Sequence, residues 1–99
     1  MSAYQTHFMA HLRLLILRAL VDAPACSANA SILKSIAHEF GLPATRDQIH
    51  TAIGWLDEQA LVKRSEVGSL IVARLTERGQ DVAEGRARCD GVARPSPGG

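Results

Sequence analysis

From Ala3 to Asp22 the apolar residues recur at helical spacing. Phe8, Leu12, Leu15, Ile16, Ala19 and Leu20 make one stripe, and His7, His11, Arg18 and Asp22 make a polar strip on the other side. Ala10, Leu14, Leu17 and Val21 add a second apolar line, spaced like the a and d positions of a coiled-coil seam. The stripes lie side by side, so well over half of this helix's circumference is apolar. One small core covers both, or the second line meets a twin subunit. The seam spacing favours the second, a homodimer through Ala10, Leu14, Leu17 and Val21. Ala23-Pro24 ends the helix, because the residue before a proline leaves the helical region.

Residues 25–29 form a connector long enough for a bridge or two of a sheet, and Asn29 is a good N-cap. The second helix turns Ile32, Leu33, Ile36, Ala37 and Phe40 inward and Ser31, Lys34, Ser35, His38 and Glu39 outward. Gly41 and Pro43 stop it. Thr45 and Gln48 have the spacing of a capping box and open a third helix that ends near Gln59, with Ile49, Ala52, Ile53 and Leu56 inward. So tight a turn between two such helices reads as a helix-turn-helix. From Leu61 the pattern changes to two β-rich runs around Val67-Gly68, a hairpin. Thr76 caps a last helix, from about Glu77 to Glu84, with Val82 and Ala83 inward. The fold class is therefore mainly α with a small β-hairpin (α+β), in the order helix, helix, helix, strand, strand, helix.

The 99 residues make one small domain, with 46% hydrophobic residues but only 4% aromatic, so the core is aliphatic. Residues 1–85 are expected to fold, and residues 86–99 read as a flexible C-terminal tail with little to bury. That tail sets Arg86, Arg88 and Arg94 against Asp90, which leaves 8 basic and 9 acidic side chains in residues 1–85. The net charge of +1 for the whole chain excludes a strongly basic nucleic-acid glue. Arg13 and Arg18 break the early apolar stretch, no run approaches the ~20 residues of a membrane span, and Cys26 and Cys89 make no disulfide framework. A cytoplasmic protein with reduced thiols and no membrane partner is expected.

Two segments carry a resemblance. Leu56-Asp57-Glu58-Gln59-Ala60-Leu61-Val62 is similar to the "L-E-x-x-G-L-V" that runs from recognition helix into wing in winged-helix proteins, with Ala60 where glycine is usual. Leu75-Thr76-Glu77-Arg78-Gly79 resembles the "L-T-x-x-G" after the wing in MarR-, PadR- and ArsR-type regulators. The run from Ala44 to Val62 and the ending from Gly85 are similar to small winged-helix proteins of Mu-like transposable phages and prophages. The resemblance implies a winged helix-turn-helix and a phage setting.

On that pattern the candidate DNA-binding residues are Thr45, Arg46, Gln48, His50, Thr51 and Trp55 of the third helix, with Lys63, Arg64 and Arg74 of the wing. Arg46 suits guanine O6 and N7, Gln48 or Thr51 a base edge or phosphate, and the wing cations phosphates. Duplex DNA is then the partner and transcriptional regulation the role. Asp47, Asp57, Glu58 and Glu66 oppose this reading by their charge. The alternative is a protein-interaction module that uses the first helix and Trp55 as an interface anchor and binds no DNA. Trp55 packed on the wing or the first helix is the plainer expectation for that side chain. His7 and His11 stand one turn apart without a third ligand, so no metal is expected. The chain shows no nucleophile elbow, phosphate loop or carboxylate pair, so neither catalysis nor a cofactor is expected.

Overall fold

The computed structural model describes residues 2–95 of the chain. Helix α1 (Ala3–Asp22) is followed by a turn of 3-10 helix at Pro24–Cys26 and by strand β1 (Ser27–Asn29). Helices α2 (Ala30–Glu39) and α3 (Arg46–Glu58), strands β2 (Val62–Val67) and β3 (Leu70–Leu75) and helix α4 (Glu77–Ala83) complete the order. The result is an α+β protein with four helices and a three-stranded antiparallel sheet in the order β1-β3-β2. The sequence reading placed two strands in order; the third is the connector, whose Ser27, Ala28 and Asn29 pair with Arg74, Ala73 and Val72. The connector was expected to be long enough for a bridge or two; three residues show no period of two, so the sequence does not say which strand it pairs with.

Local chemistry fixes the ends of the helices. Asn29 Oδ1 accepts from the Ile32 amide, and Thr45 and Gln48 make both bonds of the capping box. Thr76 Oγ1 accepts from the Gly79 amide and caps α4. Three helices stop with the same pair of backbone bonds. Gly41, Ala60 and Gly85 each take a positive φ, and the residues after them donate back to Ala37, Leu56 and Asp81.

The core is aliphatic, and Leu12, Ile16, Leu17, Leu20, Leu33, Ile49, Ile53, Leu56 and Leu61 are sealed from solvent. Of the expected dimer seam, Leu17 is fully buried and Leu14 is buried within the single chain, while Ala10 and Val21 are half-buried. Within the single chain α1 packs on α2, α3 and α4, which take Leu17 into the core, while Leu14 also lines a groove that stays open between α1 and α2. Conversely Phe8, Leu15 and Ala19, expected inward, are only partly buried. On α2 the core takes Ala30, Leu33 and Ala37, and leaves Ile32 and Phe40 exposed at the margin of an apolar stripe wider than the surface it meets.

The chain also keeps packing beyond Gly85. Ala87, Cys89 and Ala93 lean on the core and Val92 is buried. The Ala93 amide donates to Ala10 O, and Arg13 Nη1 donates 2.9 Å to Gly91 O. Residues 86–95 thus form a strap across α1, and the expected boundary at Gly85 falls inside the packed unit. The strap's apolar residues have no period, so a sequence pattern does not reveal it. The remaining part of the expected tail, 96–99, lies outside the described residues.

Candidate nucleic-acid interface

The α2–α3 turn holds the two helices side by side. His38 Nε2 lies 3.1 Å from Ala44 O and ties α2 to that turn. The capping box then sets the first turn of α3, and this spends part of the expected site. Thr45 Oγ1 accepts from the Gln48 amide, and Gln48 Oε1 accepts from the Thr45 amide. What remains of Gln48 for a ligand is its amide NH2.

Arg46 and His50, one turn apart, face a cleft of about 320 Å³ between α2, α3 and the tip of the β2–β3 hairpin. Ser31 and Lys34 line it from α2, and Ser69, Leu70 and Ile71 from the hairpin. Among the described residues, no carboxylate lines it. Lys34 is the residue the sequence reading missed as a site member. Its signal was its place on the outward side of α2, which the short turn sets beside the outward side of α3.

The other candidates go elsewhere. Thr51 is exposed on α3. Lys63 and Arg74 are opposed across the hairpin, and strand alternation puts them on the face away from buried Val62, Ala73 and Leu75. Arg64 sits on the opposite side of the hairpin. Its amide donates 3.0 Å to Asp57 Oδ1 and its guanidinium pairs with Glu66 at 2.9 Å. Two of the four acidic groups that opposed a DNA face are therefore engaged locally, and Arg64 with them.

Trp55 is half-buried and belongs to the strap side. The Arg13 guanidinium lies 4.1 Å from the centre of its ring, a cation–π contact, and Gly91 packs on its edge. Burial pulls the Arg13 pKa below the usual arginine range, and its Nε has no hydrogen-bond partner among the described residues. The ring and the Gly91 carbonyl are what offset that desolvation. Trp55 thus takes the plainer of its two expected roles, packed against the first helix.

The fold and the cleft define a small α+β protein with a carboxylate-free, cationic recess between two helices and a hairpin. A protein of Escherichia phage Mu, "Uncharacterized protein gp26", is 48% identical over 85 residues, which cover 86% of this chain and 88% of the phage protein. The chain belongs to the family of that phage protein. Neither a protein-family model nor a solved structure matches the chain. Among the described residues, no helix is long and apolar enough to cross a membrane.

Proposed function

We propose that this chain is a winged helix-turn-helix protein that binds duplex DNA, with α2–α3 as the helix-turn-helix and the β2–β3 hairpin as the wing. A phage transcriptional regulator is the role this reading gives it. The cleft carries the reading: Lys34, Arg46 and His50 converge at the junction of α3 and the wing tip, and no acidic side chain lines it. In this docking the N-terminal half of α3 enters the major groove. Arg46 and Thr51 then meet base edges, Lys34 takes a backbone phosphate, and Lys63 and Arg74 lie on the outer face of the wing for a neighbouring phosphate.

The test is binding of the full chain to mixed-sequence duplex DNA, read by fluorescence anisotropy at rising salt. Affinity should fall steeply with salt, and Lys34→Ala should flatten the log–log slope by about 1, as the loss of one phosphate contact does. Arg46→Ala should cost about 1–3 kcal/mol on a preferred sequence and relax one base position. Absence of binding at low salt and micromolar protein ends the DNA reading. A protein-interaction module is the second reading. Trp55 under Arg13 does not favour it, but an open apolar groove beside α1 does.

A further inference from the structure

That groove, of about 730 Å³, runs between α1 and the C-terminal part of α2. Leu15 and Ala19 of α1 form one wall, and Ile36 and Phe40 of α2 the other. Within the described chain no segment fills it, and Phe40 is 73% exposed. Ile32 continues the same line one turn earlier on α2 and is 51% exposed. A chain with so few aromatic residues that turns one of them outward beside a groove has a surface suited to a partner.

The rim indicates which partner. Along α1 it carries His11, then Arg18, then Asp22 at the C-terminal end. Arg18 and Asp22 stand one helical turn apart, the spacing of an ion pair, yet neither is in a salt bridge among the described residues. A rim with Arg18 one turn before Asp22 is complementary to its own reverse. A second copy laid antiparallel sets each Asp22 towards Arg18 of the other copy. The projecting ring and the groove also share one face, so Phe40 of each copy meets a socket in the other. Self-complementarity of this kind is what a two-fold contact between identical subunits requires.

We propose that the α1–α2 groove is closed by a second copy of this chain, packed antiparallel about a two-fold axis, with Phe40 as the anchor and the His11, Arg18 and Asp22 rim setting the direction. Of the expected seam, Leu14 lines this groove and so falls within the interface, whereas Leu17 is sealed in the chain's own core.

Sedimentation of the full chain without DNA tests it. At high micromolar concentration the parent should sediment as a dimer of the 10.6 kDa protomer. Phe40→Glu should sediment as a protomer with unchanged circular dichroism. Asp22→Arg, which makes the rim basic throughout, should weaken the dimer by about tenfold or more. Adding His11→Asp and Arg18→Asp reverses the rim and should restore the dimer. The rim residues are exposed, so these variants decide the matter even where Phe40→Glu fails to fold. A parent that remains a protomer, or a Phe40→Glu variant that dimerises like the parent, overturns the proposal. An Asp22→Arg dimer as tight as the parent, or one not restored by the reversed rim, overturns the antiparallel arrangement.

Discussion

Ala60 sits at φ 62°, in the left-handed region, at the position where helix α3 hands over to β2. The equivalent positions after α2 and α4 carry Gly41 and Gly85 at φ 81°. An alanine there costs roughly 1–2 kcal/mol through its Cβ, while a glycine gives back roughly 0.5–1 kcal/mol as entropy of the unfolded chain. Ala60 is exposed and gives up no packing. Ala60→Gly should therefore raise stability by about 0.5 kcal/mol, a melting temperature higher by about 2–4 °C, measured by calorimetry. Gly91 is the opposite case. At φ 98° an added Cβ would stand 2.6 Å from Trp55 Cζ2. Gly91→Ala should cost about 1–3 kcal/mol. Emission from the single tryptophan should shift to the red as the strap lifts. An unchanged spectrum would show that the strap does not hold the ring.

At the level of elements, most of the architecture was legible in the chain. Apolar period, an N-cap or capping box and a glycine stop coincide at α2 and α4, and for α3 Ala60 replaces the glycine, so the helices declare themselves from both ends. Two parts were less legible, for different reasons. Residues 25–29 read as long enough for a bridge or two, but β1 is too short for a period, and its partner β3 shows only in the fold. The strap has small side chains in no register and is held by Arg13, a residue whose charge reads as solvent-facing. Truncation after Arg86 tests the strap directly. It removes buried Val92 and the Gly91 carbonyl that satisfies Arg13. The expected loss is about 2 kcal/mol or more, since burial of a valine-sized side chain alone contributes roughly 1.5–3 kcal/mol. The melting temperature should drop by about 10 °C. A truncated chain that melts with the parent would restore the boundary at Gly85.

Across the whole molecule, the residue types of the site were legible and their grouping was not. Sequence spacing gave Arg46 and His50 as neighbours on α3, and the cleft contains both. It also grouped them with Trp55, Arg64, Lys63 and Arg74, which the tertiary packing distributes over the strap side and the two faces of the hairpin. A helix face is readable from period alone, whereas the assignment of a hairpin side chain to a ligand depends on where the sheet sits against the helices. Net charge misleads in the same way. A domain near neutrality still presents a cationic recess when Lys34 and Arg46 meet in a cleft whose lining includes none of its acidic side chains.

The strap also joins two segments that are distant along the chain. Arg13 and Gly91 are 78 residues apart, and their contact closes a loop that contains α2, α3, the hairpin and α4. The entropy of closing so long a loop must be met before the contact rewards it, so the other elements can assemble before the strap docks. Until it docks, α1 exposes Arg13 and the side of Ala10 that the strap covers, beside the already apolar Phe8. The late docking of Val92 thus marks the interval in folding when an apolar side of α1 stands open to other chains.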